Sequence, residues 1–129
     1  MTIFSKIIAG QIPSYKIHEN KKFFAFLDIS PIQKGHTLVI PKVEVDKIFD
    51  VPDDYLNGLL AFAKPIAKAI ERSFKCDRVS MFTVGLEVPH AHVHLVPINR
   101  TQDMNILNPK LKLSEDEFKE IQQKIISNM

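Results

Sequence analysis

Apolar residues recur along this chain with two different periods. Ile3, Phe4, Ile7 and Ile8 fall at helical spacing ahead of Gly10, a residue suited to the left-handed turn that closes a helix, so a short helix is expected over 3–9. Pro13 forces extended chain. Alternation then takes over: Tyr15 and Ile17 are separated by Lys16 and followed by His18, the run Glu19-Asn20-Lys21-Lys22 is a polar turn, and Phe23 to Leu27 is a second strand. The two strands should form a hairpin, with His18 beside the turn, exposed and without a role. Asp28-Ile29-Ser30-Pro31 closes the second strand, and there Asp28 reads first as a turn cap. The run His36-Thr37-Leu38-Val39-Ile40 lies between Gly35 and Pro41. It is almost entirely apolar, as expected of a central strand covered on both faces.

After a loop with Pro52 and acidic helix starters, Leu56, Leu59, Leu60, Ala63, Ala67, Ile70 and Phe74 repeat at 3.6-residue spacing. This predicts one amphipathic helix over about 53–74, kinked at Pro65, where a backbone donor is missing. Val79 to Val84 is a further strand, ended by Gly85. A short link leads to His90-Ala91-His92-Val93-His94-Leu95-Val96-Pro97, where polar and apolar residues alternate again. Beyond Pro97 the chain loosens. Ser114 and Glu117 then have the spacing of a capping box, and Phe118, Ile121 and Ile125 mark a C-terminal helix over about 115–127. Five strands with hairpin-length links and two main helices that do not alternate regularly with them imply an α+β domain with a largely antiparallel sheet. Nothing divides the chain, so residues 1–129 are read as a single domain.

Composition adds limits. The chain has 129 residues, 45% hydrophobic and 25% charged, with a formal net charge of +2. So small a charge, spread over scattered lysines, suggests neither a nucleic-acid partner nor a membrane surface. The single cysteine, Cys76, allows no intramolecular disulfide and fits a reducing, cytoplasmic compartment. No apolar run reaches the ~20 residues of a membrane span. Ser5, Lys6 and Gln11 interrupt what would be the apolar stretch of a secretory leader.

Three of the five histidines stand at alternate positions, 90, 92 and 94. On a strand they would share one face, with neighbouring rings roughly 6.6 Å apart, while Ala91, Val93 and Leu95 face a core. Such a row could receive an anion, attack it, or bind a metal, since His-x-His is a familiar pair of zinc or copper ligands. A neutral imidazole is a good nucleophile toward phosphorus, and near neutral pH it is largely neutral. The middle ring is flanked on both sides, so His92 is the expected attacking group with His90 and His94 as supports. A backbone carbonyl accepting one ring proton would leave the other nitrogen free. His36 is a fourth histidine that could approach the row, although spacing alone does not bring it there.

The stretch from His90 to Val96 resembles the signature of the histidine triad (HIT) family. Ile3-Phe4-Ser5-Lys6-Ile7-Ile8, Phe26-Leu27-Asp28-Ile29-Ser30-Pro31 and His36-Thr37-Leu38-Val39-Ile40-Pro41-Lys42 resemble that family's N-terminal blocks in order and spacing, so the likeness covers about residues 2–98. It implies a HIT-like fold and a purine nucleotide-binding hydrolase or nucleotidyl transferase of the Hint-like branch. The expected reaction is cleavage of adenosine 5′-monophosphate conjugates such as phosphoramidates at the α-phosphate. The resemblance further implies a nucleotidyl intermediate on His92, with His36, His90 and His94 around the phosphate and Asp28 on the ribose hydroxyls. Ile3, Phe4, Ile7, Phe26, Leu27, Ile29 and Leu38 would enclose base and sugar, and Glu87 and Val88 join the nucleotide-binding set. A homodimer with sheets joined across a shared interface is implied, and neither a metal nor a cofactor is required.

The chain departs from the family pattern at three places. Leu86 stands where a Gln is frequent, Glu87 where many relatives carry Ser or Thr, and the usual Asn-x-Gly before Gly85 is absent, with Thr83 as a partial replacement. Leu86 offers no amide to a long phosphate chain, and Glu87 would either donate a proton or repel phosphate. Thr2 and Ser5 occupy the positions of an N-terminal cysteine pair that binds structural zinc in some bacterial relatives, so that zinc is not expected. Two other readings stand beside the hydrolase: a nucleotide-binding module with little turnover, and a histidine metal site.

Overall fold

The computed structural model describes all 129 residues. Helix α1 (Ile3–Ile8) leads into strands β1 (Lys16–Glu19), β2 (Phe23–Leu27) and β3 (Thr37–Pro41). Helices α2 (Asp53–Leu56) and α3 (Leu59–Ser73), strands β4 (Arg78–Phe82) and β5 (Val93–Ile98) and helix α4 (Glu115–Ser127) follow. The five strands form one sheet in the order β1-β2-β3-β5-β4, and every pairing is antiparallel. The expected α+β architecture is present.

Both faces of the sheet centre are covered, which is why β2 and β3 are buried at every position. Successive side chains alternate between the faces. Phe23, Ala25 and Leu27 of β2 pack with Val39, Val93 and Leu95 against Phe62, Ile66 and Ile70 of α3 and Phe118, Ile121 and Ile125 of α4. Phe24 and Phe26 turn to the other face, where Leu38, Ile40 and the α1 residues Phe4 and Ile7 complete a smaller cluster. Removing a side chain the size of Ile66 from water is worth about 1.5–3 kcal/mol, so the α3 and α4 face supplies most of the stability. Helix α1 has six residues, too few to persist alone. It is held by burial of Phe4 and Ile7 and by the Thr2 hydroxyl, which accepts the Ser5 N–H at 3.0 Å.

Helix α4 has the expected span. The Glu117 N–H donates to Ser114 Oγ at 3.1 Å and the Ser114 N–H to Glu117 Oε1 at 3.2 Å. The long helix does not have the expected form. Instead of one helix kinked at Pro65, the chain breaks at Asn57 and Gly58. The Gly58 N–H closes α2 as a tight turn onto the Tyr55 carbonyl, and a Cβ at position 58 would lie 3.3 Å from the Phe23 ring. Packing of the turn on Phe23 therefore decides the break. Pro65 stays within α3 on its exposed side, and the helix continues through it.

The strand expected over 79–84 ends at Phe82, because the next hydroxyl, Thr83 Oγ1, donates to the His92 carbonyl at 2.7 Å in place of a ladder bond. His18 is exposed as expected but is not idle: its ring stacks on Phe62, with centroids 5.4 Å apart.

Candidate functional site

The histidine run is not a continuous strand. Only His94 lies on β5, which begins at Val93; His90 and His92 precede it. The pairing with β3 stops at Val39 opposite Val93. Continuing it would place Pro41 opposite Ala91, and Pro41 has no N–H to give. The Pro41 carbonyl is taken by His90 Nε2 at 2.9 Å, and the Ala91 N–H turns to the Val45 carbonyl at 2.7 Å. The expected single-faced row is replaced by three rings with different surroundings.

His92 is buried, and its Nδ1 lies 2.7 Å from the His90 carbonyl. A carbonyl only accepts, so Nδ1 carries the proton and Nε2 keeps its lone pair. The Phe4 ring meets His92 edge-on at 5.1 Å and the His94 ring lies 5.2 Å away. His90 is completely buried. With Nε2 donating to Pro41, its Nδ1 accepts from Thr2 Oγ1 at 2.9 Å. Both nitrogens of His90 are thereby used, and its support of His92 comes through its backbone oxygen rather than its ring.

His36 reaches His94 across 58 residues of sequence. The Ile32 N–H donates to His36 Nδ1 at 3.2 Å, and His36 Nε2 lies 2.9 Å from His94 Nδ1 and 3.5 Å from Asp28 Oδ2. Burial pushes the His36 imidazolium down from 6.5 to about 4, with Lys110 adding to the effect; burial does the same to His94, helped by the charges of His36 and His92. Both rings are neutral at pH 7. Because Nδ1 of His36 accepts the Ile32 amide, its proton sits on Nε2 and points to His94 Nδ1. His94 in turn carries its proton on Nε2. One backbone amide thus sets the tautomers of two rings, giving a ring with a free lone pair beside a ring with a free N–H. Phe82 stacks on His94 with centroids 4.7 Å apart.

This geometry accompanies a family match. Residues 9–101 fit the HIT domain model. The chain belongs to the HIT family. It is 42% identical over 100 residues to adenosine 5′-monophosphoramidase of Saccharomyces cerevisiae, a match covering 74% of this chain and 61% of that protein. It is 34% identical over 135 residues to an uncharacterized HIT-like protein of Borreliella burgdorferi, covering 98% and 97% of the two chains. The crystal structure of a Hit-like protein of Bartonella henselae superposes with a TM-score of 0.86 at 28% identity, covering 99% and 96%.

The other positions suggested by the HIT resemblance divide into four groups. Phe4, Ile7, Phe26 and Leu38 form an apolar shelf on the sheet face beside His92, with Val88 packed against it. Ile3 and Ile29 are exposed, as is Glu87. Leu27 is displaced from the expected set: its side chain enters the core under α3, because the strand period sends 27 to the face opposite 26. Asp28 keeps its turn role with one oxygen, Oδ1 accepting the Ser30 N–H at 2.8 Å, while Oδ2 faces His36. Sequence reasoning did not find Ile32, Phe82 or Glu44 as neighbours of the triad. Ile32 acts through its backbone, Phe82 reads as an ordinary strand residue, and Glu44 lies outside the motifs.

Asp28, His36 and His94 present ligand atoms within 4.8 Å of one another, close enough for a metal ion. The tautomers oppose it. A metal on His36 Nε2 would move the ring proton to Nδ1, against the N–H of Ile32. The donor set therefore suits a hydrogen-bonded relay in this HIT protein better than a cation.

The same burial makes stability pH-dependent. A histidine whose folded pKa lies below its unfolded one contributes fully above the unfolded value and loses that contribution as pH falls through the interval. For His36 and His94 the interval runs from 6.5 down to about 4. The urea midpoint is expected to be flat above pH 7 and to fall between pH 6.5 and 4. A midpoint that does not move over that range contradicts the neutral, buried pair.

Proposed function

We propose that the chain is a hydrolase of nucleoside 5′-monophosphate conjugates, AMP phosphoramidates among them, that works through a nucleotidyl intermediate on His92. The observation that carries this reading is the bond from His92 Nδ1 to the His90 carbonyl, which aims an unprotonated Nε2 outward. In the first step Nε2 attacks the α-phosphorus, a P–N bond to His92 forms and the bond to the leaving group breaks, an amine departing with a proton from water. In the second step water attacks the same phosphorus, the bond to His92 breaks and the monophosphate is released. The His94 Nε2–H donates to a non-bridging phosphoryl oxygen, a role suited to a ring held neutral. Asp28 accepts from the ribose hydroxyls, and Phe4, Ile7, Phe26, Leu38 and Val88 form the apolar bed for a purine, with Ile3 and Ile29 at its rim.

The names of similar yeast proteins support the substrate class. The test is release of AMP from adenosine 5′-phosphoramidate by the purified protein. It is coupled to alkaline quenching, under which a nucleotidyl-histidine is stable, and to mapping of the labelled residue. The label is expected on His92; a label elsewhere rejects the mechanism. Leu86 and Glu87, both exposed, favour a second reading as a binding module, because Leu86 has no amide to grip a leaving group and the Glu87 carboxylate would repel phosphate. AMP binding without turnover across several conjugates would select it.

The reading includes a homodimer in a reducing cytoplasmic setting, with no bound metal or cofactor needed. No helix is long and apolar enough to cross a membrane. Strand β4 pairs only with β5, so its outer edge is open. Beside it Leu60, Ala67, Val79 and Met81 line an apolar groove of about 270 Å³, and Met81 is 48% exposed. A second copy adding its β4 in antiparallel fashion would satisfy edge and groove together. Met81→Glu is expected to convert a sedimenting dimer to a monomer; an unchanged sedimentation coefficient would place the contact elsewhere.

A further inference from the structure

Glu44 lies in the segment after β3 and outside every motif read from the sequence, yet it closes a chain of hydrogen bonds that ends on His92. Its Oε1 accepts the Thr2 N–H at 2.6 Å and the Ser5 hydroxyl at 2.7 Å, and the terminal ammonium of Met1 lies 4.0 Å away. The donor assignments then follow in order. A carboxylate oxygen only accepts, so the Ser5 proton is committed to Glu44. Thr2 Oγ1 accepts the Ser5 N–H at 3.0 Å and has two acceptors in reach for its own proton, Ser5 Oγ at 3.3 Å and His90 Nδ1 at 2.9 Å; the imidazole nitrogen is nearer and the stronger acceptor, and it takes the proton. His90 Nε2–H goes to the Pro41 carbonyl at 2.9 Å, and the His90 carbonyl receives His92 Nδ1–H at 2.7 Å. The Ala91 N–H, donating to the Val45 carbonyl at 2.7 Å, ties the same turn to the residue beside Glu44.

We propose that Glu44 is a positioning residue for His92: by docking the start of α1 and committing the Ser5 proton, it holds His90, and through the His90 carbonyl the tautomer and aim of His92. The inference rests on His92 being the attacking group. Without the carboxylate, the Ser5 hydroxyl at 3.5 Å from His90 Nδ1 is free to compete with Thr2. Helix α1 itself stays seated through the buried Phe4 and Ile7, so the loss falls on the hydroxyls that face His90 and not on the apolar bed. The carboxyl of Glu44 is held below the ordinary carboxylate range by the Ser5 hydroxyl first and the Thr2 amide second, so the anchor is charged at neutral pH. Glu44 is exposed and touches no substrate position, so its effect should fall on the chemical step and not on nucleotide affinity.

The test compares Glu44→Ala, Glu44→Gln and Ser5→Ala in the full-length chain, with adenosine 5′-phosphoramidate for turnover, AMP for binding and ¹⁵N imidazole shifts for the tautomer of His92. Glu44→Ala is expected to lower kcat at least about tenfold, the scale of a small misplacement of an attacking atom, with AMP affinity within about threefold of the parent. Its His92 should show a mixture of tautomers where the parent shows Nδ1–H alone. Glu44→Gln keeps the acceptor oxygen and should recover most of kcat, while Ser5→Ala removes the competing hydroxyl, leaves the Thr2 N–H on Glu44 and should stay within about threefold of the parent. The proposal is overturned if a folded Glu44→Ala keeps the parental kcat and tautomer, or if kcat and AMP affinity fall together in both milder variants. Should the parent release no AMP, the mechanism on His92 fails, while the imidazole shifts still decide whether Glu44 sets its tautomer.

Discussion

His92→Ala is expected to lower AMP release from adenosine 5′-phosphoramidate by about 10⁴-fold or more, the size of loss seen when an attacking group is deleted, while AMP binding changes little. The argument is geometric. His92 is the one triad ring whose Nδ1 proton is committed to a backbone carbonyl, that of His90, and whose Nε2 is therefore a lone pair with no partner claiming it. His90 has both nitrogens occupied. His94 is held as an Nε2–H donor by His36 and the Ile32 amide. Neither can take over the attack without breaking a buried hydrogen bond, at a cost of roughly 1–3 kcal/mol in addition to lost alignment. Loss of turnover with retained binding, read by single-turnover kinetics and calorimetry, separates deletion of the attacking atom from collapse of the site. A variant that still releases AMP at more than a hundredth of the parental rate would move the chemistry to another residue.

Gly35→Ala is expected to destabilise the fold by about 3 kcal/mol, combining backbone strain with a steric clash. Gly35 has φ +95°, and a Cβ there would stand 2.6 Å from Cε2 and 3.0 Å from Cδ2 of Phe74. Phe74 cannot simply swing away: it packs on the main core, and the Lys124 ammonium lies over its ring at 5.3 Å. Because His36 is the next residue, relief of the clash would disturb the contact with His94 as well. Gly10→Ala is the control, since Gly10 has φ +77° and an added methyl would meet nothing within 4 Å, leaving strain alone at about 1 kcal/mol. Urea denaturation of both variants should show a shift in midpoint about two to three times larger at position 35. Equal shifts would mean that Phe74 yields freely.

Much of the architecture was readable because it rests on local periods. The β1–β2 hairpin, the apolar run of β3 and the Ser114–Glu117 box with its helix all have the expected form. The errors came where distant residues decide. Gly58 breaks the long helix because Phe23 packs against it, whereas Pro65, the stronger local signal, sits harmlessly on an exposed face. Leu27 shares a motif with Asp28 but points into the other core, which a resemblance of sequence blocks does not reveal.

The sequence by itself determined most of the elements, the sheet class and the family, since periodicity, capping and motif spacing are properties of neighbouring residues. Only the tertiary structure decided what each histidine does. Alternation made His90, His92 and His94 look alike, but Pro41, with no N–H to extend the ladder, delays the start of β5 to Val93 and leaves His90 and His92 outside it. The tautomer of each ring is then set by carbonyls, amides and hydroxyls brought from up to 88 residues away. Proton positions depend on such partners, and no local pattern encodes them.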